Sequence, residues 1–137
     1  MVGRFPFDAI LMALNAADRH HLSFAEQLLP MAVERQMGII GMKIPARSRL
    51  LSSYTPPAAA TPATGTGPGT LNMREAMYYT LSFPVSTVII GCDTVAQLEE
   101  NVRLASEFTP FSEAQLAALS EKTAPIARQG LFFRAWA

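Results

Sequence analysis

The residues best suited to chemistry lie between Ser86 and Asn101, STVIIGCDTVAQLEEN. An apolar stretch runs into Gly91, Cys92 and Asp93, and Thr94 then stands where it can cap a helix. Gln97, three residues on, is placed to bond back to the N–H of the cap residue, so a reciprocal capping box is expected. A helix opened in this way leaves backbone N–H groups facing the carboxyl end of the preceding strand. Those unpaired donors and the helix dipole both favour negative charge, so the turn reads as a site for a phosphate-bearing cofactor. Glu100 and Asn101 follow on the same helix.

A second group of charges is basic. No acidic residue occurs between Glu34 and Glu75, and Lys43, Arg47 and Arg49 fall in that window. The cluster is either a solvated surface or an anion-binding edge. Cys92 is the single cysteine, which excludes an internal disulfide. With no flanking base or metal partner it reads as a buried, inert thiol rather than a nucleophile. His20 and His21 are adjacent, an arrangement that rarely turns both rings to one metal, and no Cys or His cluster supplements them, so no metal site is expected. Asp18, Arg19 and His20 read as a surface loop.

Three apolar segments are positioned to carry these groups. Phe7 to Leu14, FDAILMAL, has the length of a strand buried on both faces, Ile39 to Ile44 is a second strand, and Ser86 to Ile90 a third. Ser23 and Glu26 form a possible capping box ahead of a face made by Phe24, Leu28, Met31 and Ala32. Pro30 is incompatible with a helix interior, which moves the start of the main helix to near Leu29, and Gly38 is expected to end it. Asn72 with Glu75 opens a helix whose face carries Met73, Met77 and Leu81. The helix from Val95 to Ser106 is expected to turn Val95, Leu98, Val102 and Ala105 inward. Ser112 with Gln115 opens a last helix carrying Leu116 and Leu119. Residues 52–70 form a Pro-, Gly-, Ala- and Thr-rich loop expected to be flexible, either a plain insertion or a flap over a site. The tail GLFFRAWA is too apolar to hang free and is expected to dock on the domain or on a partner.

Strands alternating with amphipathic helices define an α/β chain with parallel strands and right-handed crossovers. Three parallel strands leave both edges of the sheet open, so they read as part of a larger open sheet or of a closed barrel. The 137 residues make one domain, half of them apolar and 16% charged, which excludes disorder. A net charge of zero argues against nucleic acid as a partner. No apolar run approaches the ~20 residues that span a bilayer, so no membrane is expected. MVGRFPFD has no export-signal core and the lone cysteine suits a reducing compartment, which together lead to an expected cytoplasmic location.

In order and spacing, FDAILMALNAADR, LLPMAVERQMGIIGMKIPARSRLL and LNMREAMYYTLSFPVSTVIIGCDTVAQLEENV resemble the C-terminal part of the aldo-keto reductase family. The resemblance runs from Phe7 to about Leu119. It implies a partial (β/α)8 TIM barrel, with strands six to eight, their flanking helices and a C-terminal helix in this chain. Phosphate commonly binds such barrels beside the loops after strands seven and eight. The family uses NADPH or NADH to reduce a carbonyl to an alcohol, so a nicotinamide dinucleotide is the implied cofactor. Gly91, Cys92 and Asp93 would meet its adenosine phosphate end, and Gln97 stands where an arginine often contacts the 2′-phosphate. Glu100 and Asn101 match a Glu-Asn pair at the adenine, Met42 a tyrosine that stacks on nicotinamide, and Leu11 a glutamine at the carboxamide. Lys43, Pro45, Ala46 and Arg47 would lie near the pyrophosphate. Met42 cannot stack as an aromatic does, Gln97 lacks a charge, and Asp93 would repel a 2′-phosphate. The family's catalytic tyrosine, lysine, histidine and aspartate come from the other half of the barrel; Tyr54, Tyr78 and Tyr79 do not match the donor. A carbonyl substrate is therefore implied only with that half. The alternatives are a non-catalytic nucleotide-binding module or an inert fragment.

Overall fold

The computed structural model of the chain describes residues 5–62 and 65–136. Residues 1–4 of the N-terminal stretch, 63–64 of the Pro/Gly loop and 137 of the tail lie outside it. Three strands, β1 (Ala9–Ala13), β2 (Gly38–Met42) and β3 (Thr87–Val88), form one sheet in the order β1-β2-β3. Both pairings are parallel, with Leu11 beside Ile40 and Ile40 beside Thr87. This is the expected α/β arrangement of parallel strands with helices between them.

Each strand is shorter than its apolar run. β2 stops at Met42 because Lys43 adopts a left-handed φ of 61° and Pro45 follows. β3 has a single neighbour, and single bonds extend the pairing on either side: Ser86 N–H donates to the Ile39 carbonyl and Ile89 N–H to that of Gly41. Burial on both faces does not hold for β1. Met12 and Ile39 point to the covered face, whereas Leu11 and Ile89 are more than half exposed on the other. In a barrel that second face looks across at opposing strands, and three strands have none opposite.

The covered face carries two cores. Met12, Leu14, Leu29, Ala32, Met37 and Ile39 join the sheet to α1 (Phe24–Gln27) and α2 (Leu29–Glu34). Ser23 caps α1 by accepting from Glu26 N–H, and Pro30 sits in the first turn of α2, where its missing N–H costs nothing. Gly38 does not end α2; Arg35 caps it, Gln36 reverses the chain at φ 53°, and Gly38 is already the first residue of β2.

The second core is built by α3 (Met73–Leu81), α5 (Glu113–Thr123) and the tail. Both caps form complete boxes, Asn72 with Glu75 and Ser112 with Gln115. α3 lies close on β2 at Gly41, where a Cβ would stand 3.0 Å from the Thr80 methyl. α4 (Val95–Ser106) has the expected bounds but the opposite orientation. Val95, Leu98 and Val102 are 71%, 53% and 58% exposed, Ala105 is exposed too, and Leu104 faces the core instead. Tyr78 fixes that side by donating to the Leu104 carbonyl at 3.0 Å. The apolar stripe therefore faces away from the core.

The tail docks on its own domain. A short helix, α6 (Ala127–Gly130), leads to Leu131 and Arg134, both buried. Asp18, in the loop after β1, accepts from the Arg134 guanidinium, the Ser23 hydroxyl and the N–H groups of Phe24 and Ala25. Asp18 is therefore a buried anchor and not a surface residue. Among the described residues no helix is long and apolar enough to cross a membrane.

Candidate functional site

Two cavities open at the carboxyl ends of β2 and β3. The first, about 270 Å³, lies between the loop after β2 (Ser48, Ser52), the N-terminal end of α3 (Asn72) and the start of α4, and Gly91, Asp93, Gln97, Glu100 and Asn101 line it. The second, about 320 Å³, is lined by Met42, Lys43, Pro45 and Arg47 together with Gly91 and Asp93. Ser48, Gly91 and Asp93 border both, so the two adjoin as one cleft. Nine of the twelve expected site residues thus line the cleft; Leu11, Ala46 and Cys92 do not. Cys92 lines neither cavity. It is exposed, not buried, in the turn that follows β3.

The capping geometry differs from a reciprocal box in one bond. Thr94 Oγ1 accepts from Gln97 N–H at 3.2 Å as expected, but Gln97 Oε1 accepts from Asp93 N–H at 2.7 Å, not from Thr94. The amide side chain reaches one residue further and ties down the turn. Asn101 is drawn to the same turn, its Nδ2 donating to Cys92 Sγ at 3.2 Å. Val95, at the first helical position, is exposed, while the Gln97 N–H of that first turn is taken by the Thr94 hydroxyl.

Charge divides the cleft. The first cavity carries two carboxylates, Asp93 and Glu100, and no lysine or arginine. The second sets Lys43 and Arg47 against the single charge of Asp93. Neither is lined by a histidine or a tyrosine. Tyr79, on the buried face of α3, has no hydrogen-bond partner for its hydroxyl, and burial pushes its pKa up to about 12. Leu11 lies on the open face of β1, half exposed and outside both linings.

Two features escape a reading of the sequence. Ala46, Arg47 and Ser48 are consecutively left-handed, at φ 50°, 56° and 66°, with no glycine among them. Phe132 of the tail lies under the cations of this loop, 3.8 Å from Arg49, 5.6 Å from Arg47 and 6.0 Å from Lys43. The tail's apolar character signals that it docks, but nothing local signals where.

The fold and the place of the cleft define a class: a segment of a (β/α)8 barrel with its concavity at the carboxyl ends of the strands. Aldo-keto reductase AKR11C1 from Bacillus halodurans shares this segment in both its holo and apo forms, with a TM-score of 0.65 and 21% identity. The superposition covers 88% of this chain and 44% of the holo-form chain, 45% of the apo-form chain. This chain therefore spans less than half the length of those structures. No protein-family profile matches the sequence. No match was found among the curated proteins either.

Proposed function

We propose that this chain is the cofactor-binding part of an aldo-keto reductase, acting in the cytoplasm on a carbonyl compound once the rest of the barrel is present. The observation that carries the reading is the single cleft at the ends of β2 and β3, which gathers Met42, Lys43, Arg47, Gly91, Asp93, Gln97, Glu100 and Asn101. The residues fit a dinucleotide: neutral and acidic groups for adenosine in one cavity, a cation excess for the diphosphate in the other. A bound nicotinamide supplies hydride to the carbonyl carbon. Asn101 and Glu100 orient the adenine, Lys43 and Arg47 offset the diphosphate charge, and Met42 packs beside the nicotinamide ring. No residue lining the cleft is a tyrosine or histidine able to protonate the developing alkoxide.

The acid-lined adenosine end favours NADH over NADPH, because a 2′-phosphate there would meet Asp93 and Glu100 with no cation to offset it. Fluorescence titration of the chain with both nucleotides tests the reading. NADH should bind more tightly than NADPH, and Gln97→Arg should narrow the gap. Asn101→Ala should weaken NADH binding by about 1–2 kcal/mol, the loss of a neutral hydrogen bond. The chain alone should show no carbonyl-dependent NADH oxidation. Absence of nucleotide binding, or an Asn101→Ala affinity equal to that of the parent chain, would remove this function.

A further inference from the structure

The loop after β2 is held in a costly conformation. The left-handed conformation is disfavoured for a residue with a Cβ, and Lys43, Ala46, Arg47 and Ser48 all adopt it. Internal bonds are short range: Ala46 N–H donates to the Lys43 carbonyl, Arg49 N–H to that of Ala46, and Leu51 N–H to that of Ser48. External restraints come from residues 69–71, whose N–H groups donate to the Leu50 and Leu51 carbonyls, from Asn15 and from the C-terminal segment. Gln129 Nε2 donates to the Arg49 carbonyl at 2.5 Å, and Asn15 Nδ2 joins the carbonyls of Lys43 and Gly130 at 3.1 and 3.4 Å. A Cβ at Gly130 would stand 2.6 Å from Leu50 Cδ2 and 3.1 Å from Ala17 Cβ, so a side chain here would displace Leu50.

Three like charges lie within 6.0 Å of the Phe132 ring centroid. The Phe132 ring attracts each cation electrostatically, most strongly Arg49 at 3.8 Å, but one aromatic face offsets only part of their mutual repulsion. Lys43 and Arg47 also line the cavity whose sole carboxylate is Asp93. That cavity therefore carries a cation excess.

We propose that Phe132 is a positioning residue, a tail-borne aromatic platform that sets Lys43, Arg47 and Arg49 to receive a polyphosphate. The proposal rests on the dinucleotide reading above and assigns to the C-terminal segment a part in binding the diphosphate. Calorimetric titration of the 137-residue chain with inorganic pyrophosphate, and in parallel with AMP, separates the two. Phe132→Leu should weaken pyrophosphate binding about fivefold and leave AMP binding unchanged. Phe132→Trp should restore pyrophosphate binding. Trp136→Leu, which removes a tail aromatic stacked on His21 and away from the three cations, should leave it unchanged. If Phe132→Leu does not fold by circular dichroism, Arg49→Gln carries the test and should weaken pyrophosphate binding comparably. Equal pyrophosphate affinity in the parent chain and in whichever of these two variants carries the test overturns the platform. So does failure of Phe132→Trp to restore binding, or a parent chain that binds AMP but not pyrophosphate. A parent chain that binds neither sinks the dinucleotide reading itself.

Discussion

Asp18 and Arg134 form the most consequential pair outside the cleft. Both are buried, and the carboxylate also accepts from the first turn of α1, so one side chain caps a helix and anchors the tail. Asp18→Asn would leave a buried guanidinium without its countercharge and should cost about 3–5 kcal/mol, measured by urea denaturation. Tyr79 makes a different prediction. Its pKa rises from 10.0 to about 12 on folding, so the folded state holds the proton more tightly than the unfolded chain. Stability from this group is intact below pH 10 and falls as pH rises from 10 to 12, by about 2–3 kcal/mol. Tyr79→Phe should abolish that alkaline decline. It should also leave stability at pH 7 equal or slightly higher, since the buried hydroxyl has no partner to lose.

At the level of elements, local chemistry reads well from the sequence and long-range packing does not. The caps at Asn72, Thr94 and Ser112 are written in adjacent residues, and all three accept from the expected N–H. The parallel order follows from alternating periodicities. The face of α4 was not legible, because Val95, Leu98 and Val102 satisfy the same periodicity whether they meet this sheet or another. The site shows the same divide. Gly91, Asp93, Gln97, Glu100 and Asn101 gather because one turn and one helix carry them. Phe132 and Asp18 depend on contacts 83 or more positions away, as with Arg49 and Arg47 at one end and Arg134 at the other. Asn72→Ala should destabilise α3 by about 1 kcal/mol in thermal unfolding, as loss of a side-chain cap does.

Considered as one molecule, the chain is an arc of three strands with apolar side chains exposed on one sheet face and along α4. Leu11 and Ile89 face the open side of the sheet, and Val95, Leu98 and Val102 extend it along α4. Contiguous exposure of this kind marks a surface meant to be covered. The isolated chain should bind a hydrophobic dye and self-associate at high concentration. Leu98→Glu with Val102→Glu should suppress both without lowering the unfolding midpoint by more than a degree or two, because neither side chain contributes to the cores. A midpoint drop of ten degrees would mean that the stripe supports this domain. The Asp18–Arg134 pair, finally, joins positions 116 apart in sequence. Closing so wide a span is entropically late work for a refolding polypeptide, whereas helices and neighbouring strands assemble early. In stopped-flow refolding, helical ellipticity should therefore recover ahead of the signal from Trp136, and competence to capture pyrophosphate should return with the slower of the two.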